Sequence, residues 1–157
     1  MGPLHGVGAL MTNGFRLEAG LCLYGNDLSE NTTPVEAGLS WLVAKRRRET
    51  KDFPGSGKIL EQLANGAKTK RVGLVVRDGP PARQGTVVFD VKGSKELGTV
   101  TSGSPAPSLG KNIAMAYVPV EYSMPGTDVQ LKVRDKLHGA VVTKMPFVQT
   151  NYYTKPN

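Results

Sequence analysis

The chain contains 157 residues, 39% of them hydrophobic and 21% charged, which suffices for one packed domain and excludes wholesale disorder. Its 19 glycines and 11 prolines favour a turn-rich β protein over a helical bundle, because both residues interrupt regular elements. The net charge of +7 points to an anionic partner, and the single cysteine, Cys22, excludes an internal disulfide and a multi-cysteine metal site.

The first part of the chain carries helix signals. Thr33 can cap a helix that starts at Pro34, and Glu36 follows Thr33 at the spacing of a capping box. The apolar stretch 37–43 predicts either a short helix or a buried strand, and its Trp41 is expected in the core.

Two further features follow in the same part of the chain. The basic run Lys45–Arg48 is typical of a solvated face, with one arginine turned inward onto a carboxylate or phosphate as the alternative. Residues 56–64 predict a short helix, which Asn65 and Gly66 end as a left-handed cap.

From residue 70 onward the pattern predicts strands separated by turn residues. A loop or a single helical turn is expected at 102–111. No strand–helix–strand alternation is present, so a small antiparallel barrel or sandwich is predicted. The six strand segments are 71–76, 85–91, 97–101, 113–117, 129–133 and 139–144.

The charge and the chemistry-bearing motifs limit the function. Residues 1–69 carry eight basic and seven acidic residues (+1), whereas residues 70–157 carry twelve and six (+6). A stand-alone basic β module for an acidic protein or a nucleic acid is therefore one hypothesis, although few aromatic residues accompany the basic ones, which argues against nucleic acid. The sequence lacks a phosphate-binding glycine loop, a nucleophile elbow, zinc-ligand spacing and a membrane-length apolar segment.

Glu18 is the first candidate site residue. It stands among Leu17, Ala19 and Leu21, and a carboxylate in apolar surroundings must find hydrogen-bond donors or become neutral. A surface or capping glutamate is the commoner outcome, whereas the alternative is a clamp that accepts two parallel hydrogen bonds from an N–C–N edge of a ligand. The tyrosines at 152 and 153 matter only if the terminal residues fold back over a site.

Several strings resemble the glycine cleavage T-protein family of aminomethyltransferases. They are RLEAGLCLYGND at 16–27, TTPVE at 32–36, GTVTSGSP at 98–105, NIAMAYV at 112–118 and MPFVQTNYY at 145–153. The resemblance runs from about residue 15 to the end of the chain. The string at 98–105 is shared with the folate domains of dimethylglycine and sarcosine dehydrogenases, so a protein of that kind is an alternative.

The resemblance implies a mainly β fold with some α. It divides the chain into a leader unlike the family at 1–14, a remnant of a folate-binding α+β region at 15–69, and a six-stranded antiparallel Greek-key β-barrel at 70–157. It further implies transfer of an aminomethyl carbon from the lipoylated H-protein to tetrahydrofolate with release of ammonia. Glu18 matches the family's pterin-clamping glutamate, Arg47 a folate-site arginine and Tyr152 a site tyrosine.

The departures from the family limit what this chain is expected to do. Members are more than twice as long, and neither Asp27, Asp52 nor Asp78 stands in the motif of their catalytic aspartate. No catalytic residue is therefore assigned here, and the 157 residues alone are expected to be inactive. The first fifteen residues contain neither lysine nor arginine, so no transit peptide is expected. The expected location is the mitochondrial matrix in a eukaryote and otherwise the cytoplasm, without a membrane partner.

Overall fold

The computed structural model describes residues 13–149, and most of them form a closed barrel of six antiparallel strands. Around the barrel the strands run in the order β1-β4-β3-β2-β5-β6. Strands β2, β3 and β4 are sequential neighbours and β5 returns beside β2, which is a Greek key. The predicted fold class is confirmed. The strands are β1 Thr69–Val76, β2 Val87–Asp90, β3 Glu96–Ala106, β4 Lys111–Pro119, β5 Asp128–Val133 and β6 Lys136–Thr143.

The barrel interior is filled by small and medium apolar side chains. Successive residues of a strand point to opposite faces, so alternate positions of each strand enter the core. Leu74, Val88 and Leu131 are fully buried. The buried members of this core are Val72, Leu74, Val76, Ala82, Val88, Leu97, Val100, Ala114, Ala116, Val118, Val129, Leu131, Ala140 and Val142.

Strand β3 extends farther than its sequence predicts. A loop was expected from residue 102, but pairing with β4 continues the strand to Ala106 because β4 supplies backbone partners, with Gly103 opposite Ala114. The register shifts between Val100 and Ser102, which marks a β-bulge at Thr101.

The β1–β2 connection requires a glycine in β3. A Cβ at Gly103 would lie 1.8 Å from the Ala82 carbonyl oxygen, so no side chain fits at this position. The connection therefore crosses close to the β3 backbone, and Ala82 joins the barrel core.

The residues before the barrel form short helices. Residues 13–18 are helical (α1), and they are followed by a 3₁₀ turn at Ser40–Leu42, by α2 at Lys45–Thr50 and by α3 at Ser56–Asn65. A second 3₁₀ turn, Val120–Tyr122, follows β4. The helix predicted at 56–64 is confirmed, and it ends at Gly66. The predicted left-handed cap is wrong, because the φ of Gly66 is +83° but its ψ is 158°, which lies outside the left-handed helical conformation.

The capping box is present, but it closes only one turn. The Thr33 amide donates to Glu36 Oε2 (3.0 Å), and the Glu36 amide donates to Thr33 Oγ1 (3.2 Å). Gly38 then adopts a φ of +71°, which ends the turn. The expectation that Trp41 lies in the core is wrong, because the short 3₁₀ turn leaves 72% of Trp41 exposed.

The residues before the barrel pack against its outer face. Leu17 of α1 joins Ala106, Ile113 and Met115 in a second buried cluster, on the face of β4 that points away from the core. Val75, Met145 and Phe147 pack at its edge. No helix within residues 13–149 is long and apolar enough to cross a membrane.

Candidate functional site

Glu18, at the end of α1, is buried with only 4% of its surface exposed. Its two carboxylate oxygens accept hydrogen bonds from the same residue in the β3–β4 turn. The Ser108 amide donates to Oε1 (2.9 Å), and the Ser108 hydroxyl donates to Oε2 (2.7 Å). Because a carboxylate has about four lone-pair sites, two acceptor positions remain for another donor pair.

The backbone of Glu18 binds the segment that follows the barrel. Its carbonyl oxygen accepts hydrogen bonds from the amides of Phe147 (2.9 Å) and Val148 (3.3 Å). Glu18 thus connects α1, the β3–β4 turn and the C-terminal segment. Tyr152, the predicted site tyrosine, lies outside the described residues, four positions after Val148.

Arg47 lies on α2. Its guanidinium forms an ion pair with the Asp52 carboxylate (2.9 Å) and donates to the Asp52 carbonyl oxygen (3.1 Å). Both side chains are roughly half exposed, and hydrogen bonds from the Thr50 hydroxyl and from Arg47 lower the pKa of Asp52. Among the described residues no hydrogen bond or ion pair joins Arg47 to Glu18, so the structure does not bring these two candidates into contact.

A buried polar network that the sequence did not predict joins the first segment to the barrel. The Asp27 side chain is fully buried, and its Oδ2 accepts hydrogen bonds from Arg16 Nη1 (2.9 Å) and the Leu23 amide (2.8 Å). Its Oδ1 accepts from the Thr101 hydroxyl (2.6 Å), which the β-bulge turns toward it. Asp27 thereby has a structural role.

Two groups with raised pKa values, the Tyr117 phenol and the Cys22 thiol, lie beside this network. The Tyr117 hydroxyl donates to the Asp27 carbonyl oxygen (2.8 Å), and burial raises the pKa of Tyr117 to about 12. Burial likewise raises the pKa of the Cys22 thiol, although the Arg71 charge opposes the shift. Neither group is an activated nucleophile, because activation requires a lowered pKa. Within residues 13–149 no three His, Cys, Asp or Glu side chains lie close enough to hold a metal ion.

The barrel residues match a known protein family. The sequence model described as the glycine cleavage T-protein C-terminal barrel domain matches residues 70–149. The chain belongs to the glycine cleavage T-protein family. Its six-stranded barrel is therefore the C-terminal barrel of that family, whose start at residue 70 agrees with the first residues of β1.

Relatives are mitochondrial aminomethyltransferases. The chain is 56% identical over 147 residues to the enzyme of Gallus gallus, covering 94% of this chain and 37% of the relative. It is 55% identical over 148 residues to the Homo sapiens enzyme, covering 94% of this chain and 36% of that protein. The chain thus spans little more than a third of the length of the curated relatives it matches.

A solved T-protein has the same architecture. The structure of glycine cleavage system aminomethyltransferase T from Bartonella henselae superimposes with a TM-score of 0.84 and 43% sequence identity. The match covers 90% of this chain and 39% of that one. The similarity therefore includes the helical residues before the barrel, since the described strands alone occupy a smaller share of the chain.

Proposed function

We propose that this chain is the C-terminal part of an aminomethyltransferase, which transfers the aminomethyl carbon from lipoylated H-protein to tetrahydrofolate. Its membership of the T-protein family supports the class of reaction, since relatives over half identical to it are aminomethyltransferases. The observation that carries the assignment of a site is the burial of Glu18, a carboxylate held between three parts of the fold.

Glu18 is proposed to hold the amino-pyrimidinone edge of the pterin. A buried carboxylate fixed by two donors is pre-oriented, so binding a ligand costs little side-chain entropy. Its remaining lone pairs suit the parallel N–H donors of a pterin. The same two hydrogen bonds from Ser108 would also suit a purely structural glutamate, so the experiment must separate the two roles.

Arg47 and Tyr152 are proposed to complete the folate site. Arg47 would exchange its exposed ion pair with Asp52 for a folate carboxylate, which is inexpensive because exposed ion pairs contribute little to stability. Tyr152 follows a segment that hydrogen-bonds the Glu18 backbone, which supports its assignment to the same neighbourhood.

The partner and the location follow from the same assignment. The excess of basic residues in the barrel half is proposed to help dock an acidic H-protein, an interaction that salt should weaken. As in its mitochondrial relatives, the chain would act in the mitochondrial matrix if its source is eukaryotic, and otherwise in the cytoplasm. The division at residues 14 and 69 stays a proposal, and residues 1–12 lie outside the described part.

Calorimetric titration with tetrahydrofolate tests the role of Glu18. We expect the 157-residue chain to bind with a dissociation constant weaker than about 0.1 mM, because one clamp without opposing walls gains little over water. Glu18→Gln should abolish this binding. Ser108→Ala removes one of the two donors that orient the carboxylate and should weaken the binding less. Glu61→Gln, at an exposed position, is the matched control and should retain the binding. Equal loss in Glu18→Gln and Ser108→Ala would show that Glu18 acts only through the β3–β4 turn.

The transfer reaction is a separate test. With aminomethylated H-protein and tetrahydrofolate, we expect no ammonia release from the 157-residue chain alone. Ammonia release at a rate above the protein-free reaction would show that the described barrel and its flanking helices contain a catalytic group that we have not assigned.

A further inference from the structure

A cavity of about 410 Å³ lies where the first segment crosses the outer face of β1 and the end of β6. Its walls are mostly apolar and include the face of Trp41, which is 72% exposed. Neither Glu18 nor Arg47 lines it. The apolar walls are formed by Leu21, Leu39, Trp41, Pro125, Val142, Met145 and Pro146.

Arg71 of β1 lies in the wall of this cavity with 8% of its surface exposed. Among the described residues, the acceptors of its guanidinium are all neutral. Nε donates to the Ala37 carbonyl oxygen (2.9 Å), and Nη1 donates to the Gly20 carbonyl oxygen (3.3 Å) and to Met115 Sδ (3.1 Å). Among the described residues no carboxylate forms an ion pair with it.

One nitrogen of the Arg71 guanidinium, Nη2, donates to no acceptor among the described residues, whereas Nε and Nη1 do. Because arginine stays protonated in proteins, this position holds a positive charge that no carboxylate among the described residues neutralises.

The remaining polar groups of the cavity also favour an anionic ligand. Lys70 and Lys144 are exposed residues of its lining, and Ser123 and Thr143 add hydroxyl groups. Within residues 13–149, no aspartate or glutamate lines the cavity. Three cations without an acid, against apolar and aromatic walls, match an organic anion with more than one negative charge.

We propose that this cavity binds a small organic dicarboxylate. One carboxylate is held by the Arg71 guanidinium, the apolar body lies between Trp41 and the Met145–Pro146 segment, and the second carboxylate interacts with the ammonium groups of Lys70 and Lys144. The proposal involves none of the residues assigned to tetrahydrofolate, so either assignment can fail without the other.

Trp41 provides a direct readout, since it is the only tryptophan of the chain and lines the cavity. Titration with glutarate should change its fluorescence with saturation at about 1 mM, the range of a small charged ligand. Glutaramide, the neutral diamide, should give no change, and inorganic phosphate should bind at least about tenfold more weakly, because it lacks an apolar body. Phosphate binding equal to glutarate binding would contradict an organic ligand.

Three variants locate the bound anion. Arg71→Gln should weaken glutarate binding at least about tenfold, as expected for a lost hydrogen bond to a charged group. Lys144→Gln removes one positive charge of the cavity lining at an exposed position. A change in glutarate binding in this variant therefore reports on the charge and not on the fold. Lys111→Gln is the matched control, because Lys111 is exposed but does not line the cavity.

Amide NMR spectra detect binding even if the fluorescence of Trp41 does not change. Glutarate should shift the amides of lining residues and leave those of β5 unchanged. If neither fluorescence nor amide shifts saturate by about 10 mM, or if Arg71→Gln and Lys144→Gln bind as tightly as Lys111→Gln, the proposal is wrong.

Discussion

The barrel and the segment before it are held by different forces. Each barrel strand pairs with two neighbours and contributes side chains to one apolar core. In residues 13–66, by contrast, neither α2 nor α3 contains a buried residue. The first segment is held instead by Leu17 in the outer cluster and by the polar groups of Asp27 and Arg71. The barrel therefore has an apolar core of its own, whereas the first segment is anchored on the outer face of the barrel.

The largest effect is expected for Asp27→Ala. Removing a buried carboxylate leaves the Arg16 charge without its partner, and breaking one side of such a pair costs about 3–5 kcal/mol. The loss should appear as opening of the first segment, measured by hydrogen exchange of the Arg71 amide, which donates to the Glu36 carbonyl oxygen (2.8 Å). Amides of β5 should keep their protection, and Asp128→Ala, in an exposed ion pair, is the control. Equal loss of protection in β5 would contradict a segment that opens independently.

A core substitution should instead unfold the barrel itself. Leu131 is fully buried in β5, and Leu131→Ala should lower the free energy of unfolding by about 2–5 kcal/mol. The matched control Leu137→Ala, at a position 46% exposed on the neighbouring strand, should cost less than about 1 kcal/mol. Urea unfolding followed by circular dichroism measures both. Similar costs would show that the barrel core is not the main source of stability.

The pH dependence of stability tests the contact that Tyr117 makes between the two regions. Its phenol is protonated in the folded state up to about pH 12, whereas the unfolded chain ionises near pH 10. The folded state therefore holds the proton more tightly. The stability that the Tyr117 phenol contributes is fully present below pH 10 and is lost as the pH rises toward 12.

Tyr117→Phe should remove this part of the alkaline loss. At neutral pH the variant should be less stable by about 1 kcal/mol, since it lacks the hydrogen bond to the Asp27 carbonyl oxygen. Urea unfolding at several pH values compares the two proteins. If their stability difference does not shrink above pH 10, the phenol is not protected by burial.

The smallest effect is expected at the exposed ion pair of α2. Asp52→Ala removes the partner of Arg47, but both side chains are roughly half exposed and water replaces the contact. No measurable change in the urea midpoint is expected. A clear loss of stability would mean that α2 contributes more to the fold than its exposed residues indicate.

Local sequence signals predicted much of the barrel and α3. The alternation of β5 depends on neighbouring residues only, and it is confirmed. Gly66 ends α3 as predicted, but without the left-handed conformation that was expected. The β-bulge at Thr101 and the continuation of β3 to Ala106 were missed, because both arise from pairing with β4. Trp41 was placed in the core on its hydrophobicity alone, although no described element covers it.

The candidate site was predicted less completely. Glu18 was selected from its apolar neighbours, and its burial agrees with that signal, while its role stays a proposal. Asp27 and Arg71 gave no comparable signal. Asp27 stands in a turn-like sequence, and its partner Thr101 lies 74 residues away. Arg71 resembles an ordinary outward-facing cation at the start of a strand.

The sequence by itself determined the β-rich architecture, the capping box and the resemblance to the T-protein family, since all three depend on residue patterns that are close in the chain. Only the tertiary structure decided which outward-facing residues are buried. Arg71 is buried because Gly20 and Ala37 lie over β1. These two residues precede Arg71 by 51 and 34 positions in the chain. A side chain's burial depends on what covers it, and such long-range contacts leave no local pattern to read.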